Sequence, residues 1–182
     1  MPLCTNMKKN YKVALVAILC ALALCMGFLE SLIPPIPLLP PGAKLGFSNI
    51  ITMFAAGSLG LPSALLIAVI KGGFAFITRG ATAGIMSLSG GILSAVAMYL
   101  LMKYARKVLG LIGISVICAL CHNAGQLAAA IFITDTASIV YYAPALALFG
   151  IVTGTATGFI LRAVIPALEK IKNKFVSFEN FQ

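Results

Sequence analysis

Charge is what this chain has least of, and acid least of all. Only 9% of its residues are charged, and four of its 182 residues are acidic. A soluble domain carries roughly a quarter of its residues as charges, so most of this surface is not built to meet water. Asp135 is the single aspartate, which argues against the aspartate-rich clusters that hold magnesium and diphosphate in prenyl synthases. No hydrolase triad, phosphate-cradling glycine loop or pair of catalytic carboxylates can be assembled from these residues. No catalytic residue is expected, and any active transport must draw its energy from a partner or an ion gradient.

What is present is apolar. Hydrophobic residues make up 61% of the chain, and the mean hydropathy is +1.08. The apolar stretches are continuous rather than alternating, which favours helices over barrel strands. At about 20 residues per span, there is room for about six spans and short loops. The fold class expected is therefore an all-α integral membrane protein of six transmembrane helices. Their expected ranges are 11–33, 45–59, 62–77, 82–102, 108–133 and 142–165. Residues 1–10 precede the transmembrane domain, 11–168 form it, and 169–182 make a polar tail with frayed last residues. Pro34, Pro35, Pro37, Pro40 and Pro41 make a stiff, extended loop after the first helix. The start of the chain resembles a signal peptide, but its apolar run is long and lacks a small-x-small cleavage site, so it reads as an uncleaved helix. The second and third helices are short, and a re-entrant hairpin is the alternative for them.

The formal net charge of +9 could indicate nucleic acid in a soluble protein. Here the basic residues cluster at the ends of apolar runs, as topology signals and lipid-headgroup contacts, and no nucleic-acid partner is expected. Placing the N-terminus inside puts ten basic residues in the cytoplasm: Lys8, Lys9, Lys12, Lys103, Arg106, Lys107, Arg162, Lys170, Lys172 and Lys174. Lys44 and Arg79 fall outside and Lys71 lies within the third helix. The expected location is the cell membrane, multi-pass, with both termini cytoplasmic.

Polar groups in hydrocarbon cost several kcal/mol and face a cavity or a partner. On this topology they collect in the outer half: Glu30, Lys44, Ser48, Asn49, Lys71, Arg79, His122, Asn123 and Gln126. Two readings account for them. One is a Glu30–Lys71 pair with interhelical hydrogen bonds from the amides. The other, which we take as the candidate substrate-binding site, is an outward-facing cavity in which three cations against one carboxylate favour an anionic ligand. Small residues form rows that let helices approach closely: Ala17 and Ala21 on the first helix, and Gly150, Gly154 and Gly158 on the sixth. Packing within one bundle explains such rows; for Ala17 and Ala21 the alternative is docking of a partner subunit.

The five cysteines form no disulfide framework. Cys118-Ala-Leu-Cys121-His122 matches the attachment pattern of c-type haem, yet it sits mid-helix in a predicted span, with no second axial ligand in view. The same three side chains could ligate a metal. We read them instead as packing cysteines beside a pocket histidine, with no metal and no cofactor expected.

Three short segments carry a resemblance. Gly42-Ala-Lys-Leu-Gly-Phe-Ser-Asn-Ile50 follows the proline loop, and Leu59-Gly-Leu-Pro62 and His122-Asn-Ala-Gly-Gln126 come after it. In this order and spacing, over roughly residues 11 to 168, they resemble the Gx transporter family, often called heptaprenyl diphosphate synthase component I. That family is similar in turn to the S components of energy-coupling-factor (ECF) transporters. The resemblance implies an S-component-like bundle whose pocket is capped by the loop between helices 1 and 2. It also implies that Ala17 and Ala21 contact a coupling subunit driven by ATPases. The expected function is binding and uptake of a small vitamin-like, quinone- or flavin-related molecule. The resemblance also extends to proteins encoded beside flavinylated extracellular electron-transfer components, so a membrane subunit of such a system, with electron-transfer partners, is the alternative. A prenyl-chain-related membrane enzyme is disfavoured by the scarcity of acids.

Overall fold

The structure, a computed structural model, describes residues 9–32 and 48–179, and side chains within 12–32 and 48–163. Six helices form it: α1 (Lys9–Ser31), α2 (Asn49–Ser58), α3 (Leu61–Arg79), α4 (Ala81–Tyr104), α5 (Arg106–Thr134) and α6 (Ala143–Glu179). A 3₁₀ turn at Ala137–Tyr142 joins the last two. No strand occurs among the described residues. The proline loop, including Lys44, lies outside them.

Five segments are long and apolar enough to cross a membrane: Lys12–Ser31, Leu61–Arg79, Ala81–Tyr104, Arg106–Thr134 and Ala137–Ala163. Helix α2 has ten residues. At a rise of about 1.5 Å per residue it reaches ~15 Å, half of a ~30 Å hydrocarbon layer. It is also the most enclosed element, with Thr52, Met53, Phe54, Ala55 and Ala56 all buried.

The packing order explains this enclosure. The five long helices stand in a row, α1–α3–α4–α5–α6, and α2 touches every one of them. Among the described residues α1 and α6 make no contact. Met53 and Phe54 of α2 thus share one core with Leu19 of α1, Ile67 of α3, Met98 of α4, Ile114 of α5 and Leu161 of α6. The outward faces carry Val13, Leu66, Ile92, Leu148 and Phe159, an apolar exterior suited to lipid. Several hydroxyls inside the helices are satisfied by the preceding turn, as in Ser58 to the Phe54 carbonyl (2.6 Å) and Thr157 to the Thr153 carbonyl (2.7 Å).

Two glycines set the sharp reversals around α3. Gly60 precedes it with φ 94° and ψ 169°, and Gly80 follows it with φ 92° and ψ 172°. This region of backbone space is essentially closed to residues with a Cβ. Single glycines therefore fold α2, α3 and α4 into a tight zigzag.

Helix α6 departs from expectation. The sequence reading ends it near residue 165 and frays the tail, whereas the helix continues to Glu179. Ala167, Leu168, Glu169, Lys170, Lys172 and Lys174 are mostly strong helix formers, which supports the extension. Along its first half, α6 lies directly on α5. A Cβ built on Gly154 would sit 2.6 Å from Val116 Cα, and one on Gly158 2.7 Å from Ile112 Cα. On Gly150 it would meet Asn123 Nδ2 at 2.9 Å. This is the backbone approach that small residues permit between helices in lipid.

Candidate functional site

A polar cavity opens at the end of the bundle where α1 and α3 finish and α2 and α4 begin. Helical spacing builds each wall. Residues three or four apart share a face, so Lys71, Ala75 and Arg79 form a stripe on α3, Ala83 and Ser87 one on α4, and His122 and Gln126 one on α5. Helix α1 adds Ala23, Gly27 and Glu30, and Ser48 contributes from the entry to α2. The empty space is ≈ 480 Å³, its open part included.

Deep burial makes the polar groups here costly. Glu30 is 6% exposed, Lys71 5% and Gln126 4%. An isolated charge at such depth is strongly unfavourable, so charges there occur with partners. Glu30 is close enough for its charge to act on both Lys71 and Arg79, and the Lys71 charge reaches His122. Arg79, half-buried at the end of α3, stands nearer the exterior.

The His122 ring is held between two neighbours. Its Nε2 lies 2.7 Å from Gln126 Nε2. Its other side rests on α4 at Gly90, where a Cβ would meet Nδ1 at 2.8 Å and the His122 carbonyl at 2.7 Å. Gly125 and Gly90 also approach backbone to backbone, and Ser89 Oγ donates to the Gly125 carbonyl at 2.9 Å. Helices α4 and α5 thus meet at small residues beside the cavity. His122 Nδ1 and Gln126 Oε1 are buried without a well-formed hydrogen bond.

The predicted site residues divide into two groups. Glu30, Ser48, Lys71, Arg79, His122 and Gln126 line the cavity together. Asn49 and Asn123 do not. Asn49 Oδ1 accepts from Ser94 Oγ at 3.1 Å, tying α2 to α4. Asn123 Nδ2 donates to the Leu146 carbonyl at 2.7 Å, tying α5 to α6. Each follows a lining residue by one position, a rotation of about 100° around the helix, so each faces a neighbouring helix instead. Lys44 lies outside the described residues.

Sequence reasoning passed over Phe74, Thr78 and Ser87, which also line the cavity, and Gly90, on which the His122 ring rests. The spacing of Lys71 and Arg79 carried the signal for Phe74 and Thr78. The Ser-Gly-Gly run at 89–91 carried it for Gly90.

The Cys118–His122 pattern disperses. Cys118 turns into the core, its Sγ 3.9 Å from Met98 Sδ, and Cys121 is half-buried. Among the described residues no three His, Cys, Asp or Glu side chains converge to hold a metal. Ala17, Ala21 and Cys25 are all exposed on α1.

The family model for heptaprenyl diphosphate synthase component I matches residues 19–164. The chain belongs to that family. The match takes in every described cavity side chain of the heptaprenyl diphosphate synthase component I member presented here. Among solved structures, the S component of a bacterial ECF transporter is similar over 90% of this chain and 98% of its own, with a TM-score of 0.71 and 18% identity. That likeness gives this family member the S-component fold, a multi-pass bundle of membrane helices. No match is found among curated proteins.

Proposed function

We propose that the chain is the substrate-binding membrane subunit of an uptake system. It takes a small vitamin-like, quinone- or flavin-related molecule, and a coupling subunit with ATPases supplies the energy. The observation that carries this reading is the cavity, where Lys71, Arg79, Glu30, His122 and Gln126 converge inside an S-component fold. A cleft with a few convergent polar groups is the default ligand site of a protein. Charges buried between lipid-facing helices are costly and by default mark a functional site.

Two further points support it. The ten-to-two distribution of basic residues favours a cavity end outside the cell and both termini in the cytoplasm, the orientation that uptake requires. The exposed Ala17 and Ala21 offer a flat, small-residue strip on α1 for a membrane partner. The cavity's described lining holds one carboxylate, Glu30, and no aspartate, so the synthase in the family's name finds no magnesium–diphosphate site here.

Native mass spectrometry of the full chain, purified in mild detergent, tests this. Uptake predicts a co-purified small molecule and, after co-expression, a coupling subunit. A bound chromophore with a redox-dependent spectrum would instead favour the electron-transfer role. Finding neither ligand nor partner would refute the proposal.

A further inference from the structure

Resting on the reading of the cavity as a substrate site, we infer that its occupant is a monoanion that also carries an N–H donor, with the acid held at Lys71 and Arg79 and the donor at Gln126. The argument begins with charge. The described lining contributes Lys71, Arg79 and Glu30, two formal positive charges and one negative. In a low-dielectric site the occupied state is most favourable when the charges sum to zero. One negative charge on the ligand achieves that. A diphosphate would leave uncompensated anionic charge between lipid-facing helices.

The second half rests on Gln126. Gln126 lines the cavity, and its Oε1 is buried with no hydrogen-bond partner among the described residues. The backbone of Gly90 lies on the Nδ1 side of the His122 ring, which favours the Nδ1–H tautomer and leaves Nε2 as the acceptor for Gln126 Nε2–H. Oε1 is then left as an unmet acceptor on a residue of the cavity wall. An unmet buried acceptor costs about 1–3 kcal/mol, which a ligand N–H would recover. The lining also includes Ala23, Phe74 and Ala75, apolar surface suited to a small ring or short aliphatic body. A lactam, ureide or imide bearing one carboxylate has this shape and chemistry.

The test identifies the molecule released when the purified full chain is denatured, by tandem mass spectrometry. The expected molecule has one acidic group and at least one N–H donor. Gln126→Met should retain at least about tenfold less of it, with the fold checked by thermal melting. If that variant does not fold, the chemistry of the released molecule decides alone. Inorganic pyrophosphate serves as the polyanion probe and should leave the melting temperature unchanged. A released molecule with two or more negative charges, one without an N–H, or saturable stabilisation by pyrophosphate would overturn the inference and leave the substrate-binding reading standing. Release of no small molecule above the level of a mock purification from cells lacking the chain would overturn both.

Discussion

Asn123 Nδ2 donates to the Leu146 carbonyl across 2.7 Å, while His122, its neighbour in sequence, lines the cavity. One residue thus fastens α5 to α6 and the preceding one serves the site. Replacing Asn123 with Leu should cost stability without abolishing ligand binding. Interhelical hydrogen bonds in membranes are worth roughly 0.6 kcal/mol on average and up to about 1.7. Denaturation in mixed micelles, alongside ligand retention, would measure both. Loss of binding with unchanged stability would place Asn123 in the site after all.

Lys71 gives the opposite expectation. Lys71→Met keeps an unbranched side chain, one atom shorter, and removes the buried charge, so the protein should insert and fold. Ligand affinity should fall at least about tenfold, or ~1.4 kcal/mol. Equilibrium binding on the purified variant decides, and an unchanged affinity would remove Lys71 from the site.

The seat of the His122 ring can be tested at Gly90. A Cβ there would stand 2.7 Å from the His122 carbonyl and 2.8 Å from Nδ1, both too close to accept. Gly90→Ala should shift the ring or part α4 from α5, with an overpacking cost of about 1–3 kcal/mol and weaker ligand retention. A variant as stable as the parent would show that this contact is looser than the geometry indicates.

The α5–α6 seam makes a similar prediction far from the cavity. Gly154→Ala would bring a Cβ to 2.6 Å from Val116 Cα, forcing backbone apart. A lower melting temperature is expected, with ligand affinity per folded molecule unchanged.

Ala17→Leu and Ala21→Leu address the exposed strip on α1. Neither residue is buried, so the isolated chain should melt as before and keep its ligand. Co-purification with a coupling subunit, and uptake in cells, should be lost. Normal uptake by both variants would show that this strip is not the docking face.

Much of this architecture was legible because lipid demands long apolar helices whose backbone groups are satisfied internally. The stripe of Lys71 and Arg79 was readable for the same reason, since one helix face was already implied. The directions of Asn49 and Asn123 were not. Adjacent polar residues look alike in sequence, and only neighbouring helices decide which faces a cavity and which a seam. The burial of α2 was hidden because Met53 and Phe54 would suit lipid or a protein core equally well. Thr78 shares the face marked by Lys71 and Arg79, but a threonine within a helix can satisfy its hydroxyl on the preceding turn, as Thr78 does on the Phe74 carbonyl at 2.8 Å, so its residue type alone demanded no partner.

The row of helices also bears on how the chain assembles. Helices α3, α4, α5 and α6 each pack on the next in sequence, and such local pairings form quickly because little loop entropy must be overcome. Each can therefore find its partner as it leaves the insertion machinery. Helix α1 is served only in part, since its neighbour in sequence, α2, has ten residues and its other contact is with α3. The first helix to enter the membrane has only the short α2 to lean on until the third arrives.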